Sequence, residues 1–167
     1  MWCAVHVRDG SEAKTEAFVS GLLPKNLNAR CFHLTRRRRK KYGGEWRTIQ
    51  ENLMPGYVFI DTDQPEAVHR ELEQTTVGGL LFGNRELVAT LETQESDFME
   101  CIMNVNGEIG LSRVRISEDG GIRYLSGPLV KVGHLVRKLD LHRRVAEIET
   151  SFLGEKHILY LGIEITE

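Results

Sequence analysis

MPGYVFID, Met54 to Asp61, is the stretch on which the fold turns. Its second half is dense in strand formers, and Pro55-Gly56 ahead of them is turn chemistry. GYVFID (56–61) therefore reads as a β-strand fixed at its start by a tight turn. Side chains alternate across a strand, so Tyr57 and Phe59 point to one side and Val58 and Ile60 to the other. One pair has to face a core. The other is an aromatic patch, either covered by the protein's own helices or left open for a partner.

The flanking segments supply what such a strand needs. WCAVHV (2–7) reads as a neighbouring strand, followed by the turn Asp9-Gly10. Ser11 stands where an N-cap would open the helix EAKTEAFVSGLL. There Ala13, Ala17, Phe18 and Leu22 share one apolar face, and Pro24 ends the run. ARCFHLT (29–35) is a further strand leading into TRRRRKKYGGEWR (35–47). Gly43-Gly44 is a turn signal and EWRTIQENL the returning arm, so the basic run sits on a β-hairpin or long loop. Beyond Asp61, Pro65 suits the first turn of a helix with Val68 and Leu72 four apart. GGLLFG (78–83) and ELVAT (86–90) read as short extended pieces. Thr93 can cap a third helix, with Phe98 and Ile102 on one face and Val105 three residues on. This half is α+β, helices packed on a small antiparallel sheet.

After Val105 the texture changes. NGEIGLS (106–112) reads as a linker, and no helix is expected beyond it. From Arg113 the chain runs in short β segments punctuated by Gly and Asp, among them RVRIS, VGHLVRKLDL (132–141) and HILYLGIEIT (157–166). In VGHLVRKLDL, Leu135, Arg137, Leu139 and Leu141 alternate with Val136, Lys138 and Asp140. Strands this short and closely spaced fit a small β-barrel of about 55 residues.

Composition bounds the function. Among 167 residues, 41% hydrophobic, no apolar run nears the roughly 20 residues of a membrane span. No secretion signal is legible at MWCAVHVRDG, and the expected compartment is the cytoplasm. Cys3, Cys31 and Cys101 have no C-x-x-C or zinc-type spacing, so neither a disulfide framework nor a metal site is expected. The six histidines pair with no evident nucleophile and orienting acid. No catalytic residue, cofactor or enzymatic activity is expected.

Charge is the informative quantity. The net charge is −2, from 22 basic and 24 acidic residues. Without Arg36, Arg37, Arg38, Arg39, Lys40 and Lys41, residues 1–106 hold 7 basic against 15 acidic side chains. A second patch carries Lys131, Arg137, Lys138, His142, Arg143 and Arg144 against Asp140. Two local basic patches on an acidic body suit a protein that touches polyanion at defined places. A solvated loop, a targeting signal and a nucleic-acid contact all remain open for RRRRKK. Trp46 is either a stacking surface for bases or a ring packed at the hairpin's base.

The aromatic-rich first strand, the α+β body, the basic hairpin, PGYVF, and a closing barrel marked by GPL and DLHRR resemble the NusG-type transcription elongation factors. The resemblance covers nearly the whole chain: 1–105 is similar to the NusG N-terminal (NGN) domain, 106–112 to its linker and 113–167 to the SH3-like KOW barrel. GPLVKVGHLVRKLDLHRRVAEIE with the closing LGIEI resembles the LoaP branch of processive antiterminators. Against the KOW pattern, Lys131 stands where a glycine is usual, Gly133 is displaced, and FLG (152–154) replaces FG.

The resemblance implies a polymerase-binding N-terminal domain that docks an open hydrophobic face on the clamp helices of the largest subunit. Met54, Tyr57 and Phe59 would belong to that face, and His69 to the helix that reaches the opposite jaw. It implies that Arg36–Lys41 lie near upstream or non-template DNA or emerging RNA. The cations at 131–144 would then read a nascent RNA hairpin. A monomer is expected. Two alternatives are a general elongation or termination-coupling factor whose KOW domain binds protein, and a polymerase-independent RNA-binding KOW protein.

Overall fold

A computed structural model of the chain describes residues 1–74 and 88–167. The extended piece expected at 78–83, and the start of that at 86–90, lie outside the described residues. The chain folds into two compact units, Met1–Leu34 with Met54–Ser96 and Thr35–Leu53 with Asp97–Glu167. The sequence-based division is 1–105, 106–112 and 113–167; here the hairpin and residues 97–112 group with the C-terminal segment.

The first unit is built on MPGYVFID. Strand β5 (Tyr57–Asp61) pairs antiparallel with β1 (Trp2–His6) on one side and β2 (Arg30–Phe32) on the other, and β6 (Val88–Thr90) completes the order β2-β5-β1-β6. Val58 and Ile60 face the helices. With Val5 and Val7 they form one core against Val19 of α1 (Glu12–Leu22) and Val68 and Leu72 of α2 (Pro65–Glu73). Phe59 faces the other way, into a layer with Trp2 and Phe32: ring centroids are 5.7 Å from Trp2 and 6.1 Å from Phe32.

The buried side of α1 is only in part the one expected: Phe18 and Leu22 pack against the core. Ala13 and Ala17 are exposed, while Glu12, Thr15 and Val19 are buried. The reason is a polar contact that outweighs the apolar count: the Glu12 carboxylate accepts the Gly56 N–H at 2.8 Å. That glycine, at φ +87°, turns the chain into β5, and a Cβ there would meet Asp9 Oδ1 at 2.8 Å. Burial raises the Glu12 carboxyl, and the N–H groups of Gly56, Glu12 and Gly10 together more than offset it, leaving it below its ordinary value. Ser11 caps nothing with its side chain; its hydroxyl donates to the Arg8 carbonyl at 2.6 Å.

Helix α3 (Thr93–Ile102) carries the chain from the first unit to the second. Met99 and Ile102 are its buried side chains toward the C-terminus, and Val105, beyond its end, is exposed. In the second unit the hairpin of β3 (Thr35–Tyr42) and β4 (Glu45–Asn52) turns at Gly43-Gly44, both at positive φ. The segment expected as a linker is instead ordered onto it: β7 (Glu108–Ile109) pairs parallel with β3, and Ile109 is fully buried.

A five-stranded sheet follows, in the order β10-β11-β12-β8-β9, made of β8 (Ser112–Ile116), β9 (Ile122–Ser126), β10 (Val136–Asp140), β11 (Val145–Phe152) and β12 (Glu155–Thr166). The β12–β8 pair is parallel and the others are antiparallel. Its core is Val114, Ala146, Ile148, Leu159, Leu161 and Ile163.

Two expectations fail here. A short helix α4 (Leu129–Val132) and a 3-10 turn (Gly133–Leu135) precede β10, so the strand starts at Val136 and not within VGHL. The cause is steric and local. Gly127 at φ +87° passes so close to Leu111 that a Cβ would sit 2.4 Å from its carbonyl oxygen. Pro128 then starts a helical turn whose Leu129 N–H donates to Ser112 Oγ at 3.0 Å. Leu129 and Val132, three apart, are both buried.

Candidate nucleic-acid interface

In strand β3 the six cations alternate, Arg36, Arg38 and Lys40 on one side, Arg37, Arg39 and Lys41 on the other. Arg36 and Arg38 are turned inward. Arg36 Nε and Nη2 donate to Glu51 Oε1 at 3.2 and 3.1 Å, and its Nη1 donates to the Tyr160 carbonyl of β12. Arg38 Nη1 reaches the same Glu51 oxygen at 3.4 Å. These side chains are only 13% and 16% exposed. Burial lowers the Arg36 pKa and the Glu51 charge opposes it. Of the six cations expected at nucleic acid, two are thus turned into the protein: Arg36 reaches β12, and Arg38 the hairpin's own Glu51.

Glycine makes that approach possible. At Gly162 an added Cβ would lie 2.2 Å from the Arg37 carbonyl oxygen and 2.9 Å from Arg38 Cα, so β3 crosses β12 where a side chain is missing. Along β12, Leu159, Leu161 and Ile163 face the sheet's core, while Tyr160, Gly162 and Glu164 alternate with them toward the hairpin.

The remaining cations of the run are surface groups. Arg37 Nε donates to Glu108 at 2.9 Å and Arg39 Nη1 to Thr48 Oγ1 at 3.0 Å. Lys40 Nζ stands 5.7 Å from the Tyr42 ring centroid, and Lys41 Nζ 5.9 Å from that of Trp46.

The second basic patch joins them at one end. The turn from β10 to β11 is closed by the Arg143 N–H donating to Asp140 Oδ1 at 2.9 Å, a bond that lowers the Asp140 carboxyl pKa. Arg144 follows at φ +55°. The Arg143 guanidinium lies 5.6 Å from the Tyr160 ring, and that of Arg144 lies 4.8 Å from Trp46. Two segments about 100 residues apart in the sequence thus meet around two aromatic rings. A crevice of about 100 Å³ opens there, lined by Arg39, Trp46, Arg144, Glu164 and Ile165.

The other expected residues disperse. Lys131 is on α4, its Nζ 3.5 Å from the Cys101 carbonyl, and not on a strand of the β10–β11 hairpin. Arg137 pairs with Glu149 at 2.9 Å, and Lys138 and His142 are exposed. On the first unit, Phe59 and Met54 are 0% and 3% exposed, which corrects their place on an open docking face: the aromatic layer beside Trp2 and Phe32 encloses Phe59. Tyr57 is half-buried with its ring 5.2 Å from His6. His69 is at the surface, its Nε2 2.8 Å from Glu73, and lines a groove of about 810 Å³ with Met1, Cys3, Pro65, Glu66, Arg70 and Thr90. Glu51, Tyr160, Gly162 and Glu164 were not singled out from the sequence. The available signal was Gly162, a lone glycine inside a strand pattern, which marks close backbone approach.

Fold and site together define a mixed α+β protein with an arginine- and lysine-rich surface set on aromatic rings. Residues 1–100 match the family model NusG, described as transcription termination factor nusG, and the chain belongs to the NusG family. It is a transcription factor of the NusG type, a family whose members bind RNA polymerase and nucleic acid. No curated protein matches the chain. Among the described residues no helix is long and apolar enough to cross a membrane, and no three His, Cys, Asp or Glu side chains converge to hold a metal.

Proposed function

We propose that the chain is a LoaP-like processive antiterminator, a non-catalytic, cytoplasmic, monomeric elongation factor. Its NGN-like unit holds RNA polymerase, with Tyr57 and the His69 groove as the accessible part of that contact. Its C-terminal sheet is the SH3-like KOW barrel, and a nascent RNA hairpin is its nucleic-acid partner. The observation that carries the reading is the meeting of Lys41, Arg143 and Arg144 around Trp46 and Tyr160. Cations neutralise phosphates with release of counterions, and aromatic rings and guanidinium planes stack on splayed bases, the combination RNA loops and bulges reward.

The test is a gel-shift titration with a folded RNA hairpin from the leader of the neighbouring operon, against single-stranded RNA and duplex DNA of equal length. Selective, salt-sensitive hairpin binding is the expected result. Equal, weak binding to all three would favour the second reading, a general elongation factor whose barrel binds protein. That reading has its own support in Ile122 and Val130, apolar side chains 50% and 57% exposed on β9 and α4.

A further inference from the structure

The crevice beside Trp46 contains a charge that a phosphate-binding surface should avoid. Glu164 projects from β12 on the same face as Tyr160 and lines the crevice with Arg39 and Arg144. A carboxylate there weakens attraction for a polyanion backbone. Nor is it occupied by its neighbours: among the described residues no ion pair or hydrogen bond of the Glu164 side chain exists, although two arginines share the crevice. Arg39 is turned to Thr48 Oγ1 and Arg144 to the Trp46 ring. An unpaired carboxylate in a basic crevice has its acceptor oxygens available to a ligand's N–H groups.

The dimensions fit one heterocycle. About 100 Å³ is the room of roughly three waters, too small for a base pair and enough for the edge of a single base. Trp46 supplies a ring to stack on, and Arg39 and Arg144 supply donors. Among the four RNA bases only guanine presents two adjacent N–H groups, N1–H and the N2 amine, that one carboxylate can accept together. Its O6 and N7 beside them are acceptors matched to arginine. Cytosine and adenine offer one amine beside a ring nitrogen acceptor, which a carboxylate repels, and uracil offers a single N–H between two carbonyls.

We infer that this crevice is a subsite for one unpaired guanine of the bound RNA, with Glu164 reading its N1–H and N2 edge, Trp46 stacking on the base, and Arg39 or Arg144 donating to O6 and N7. The inference rests on the RNA-binding reading above and adds to it a base preference. Affinity from the backbone and choice of base are thereby separated: Arg143 and Lys41 serve the first, Glu164 the second.

The experiment uses the full chain and four RNA hairpins identical except for a single-nucleotide bulge of G, A, C or U, titrated by anisotropy at one salt concentration. The G-bulged hairpin is expected to bind about 10-fold tighter than the other three, within the range of one good bidentate base contact. Glu164→Gln should abolish that preference without weakening the other three. Arg143→Ala should weaken all four alike and keep the preference. Because Trp2 is buried, quenching of tryptophan emission by the G hairpin reports on Trp46. Thermal melting checks that Glu164→Gln is folded. Salt-sensitive binding with no base preference, or a preference that survives in Glu164→Gln, overturns the inference and leaves the RNA reading standing. Absence of hairpin binding overturns both.

Discussion

At the scale of single residues, the two roles of arginine are separated by what surrounds the guanidinium. Arg36 is enclosed and has a carboxylate and a carbonyl as partners, whereas the exposed Arg143 lies by the half-buried Tyr160 ring with no carboxylate pairing its guanidinium among the described residues. Replacing Arg143 and Arg144 together by Ala should therefore lower RNA affinity and reduce the slope of log K against log salt by at least about 1, for the phosphate that Arg143 no longer neutralises. Binding isotherms at four salt concentrations check it. Unchanged affinity in this variant would remove the KOW side from the interface. Glu12 gives a pH prediction. Its folded pKa lies below the ordinary 4.5, so its contribution is present above that value and is lost as pH falls through the lowered one. Glu12→Gln should cost about 1 kcal/mol at neutral pH, with the difference from wild type closing as pH falls below the ordinary 4.5. Urea denaturation at pH 7 and pH 3.5 measures both.

At the scale of elements, the β3–β4 hairpin meets β12 through Arg36, which Glu51 holds in place, and through the missing side chain at Gly162. Glu51 is the shared acceptor of Arg36 and Arg38, and those two guanidinium groups would keep their burial without it. Glu51→Ala should destabilise the second unit by about 1–3 kcal/mol, less than a fully buried pair would lose because Glu51 is itself partly solvated. Gly162→Ala attacks the same approach sterically. With its Cβ 2.2 Å from a backbone oxygen, the strands must separate, a cost of about 1–3 kcal/mol or more. Thermal melts of the two variants should show loss of the same transition. An unaltered melt in Gly162→Ala would mean the hairpin does not lie on β12.

At the scale of the molecule, the basic interface is assembled from parts that the sequence places in different domains. A fragment of residues 107–167 keeps Arg143 and Arg144 and loses Lys41, Trp46 and the ladder partner of β7. It should melt lower than the second unit in the full chain and bind the RNA hairpin at least about 10-fold more weakly, the loss of one stacked ring. Equal affinity of fragment and full chain would show the hairpin to be no part of the site. Polymerase binding gives the complementary measurement. Tyr57→Ala should impair it while leaving RNA affinity unchanged, since Tyr57 and the RNA-facing residues belong to different units.

Periodicity in the sequence determined the elements that depend on local chemistry. MPGYVFID had to be a turn and a two-faced strand, Val68 and Leu72 had to share a helix face, and Gly43-Gly44 had to close a hairpin between its arms. These follow from backbone sterics and apolar spacing, which act over a few residues. The α1 face, the helical turn at Leu129 and the ordered linker were decided by contacts distant in sequence: Gly56 on Glu12, Ser112 on Leu129, β3 on β7. The site divides the same way. RRRRKK announced a concentration of charge, because charge is visible in composition. Which two arginines would turn to Glu51, and which would meet Trp46 and Glu164, depended on β3 crossing β12 at Gly162. A close approach of two strands more than 100 residues apart is a property of the packed chain alone.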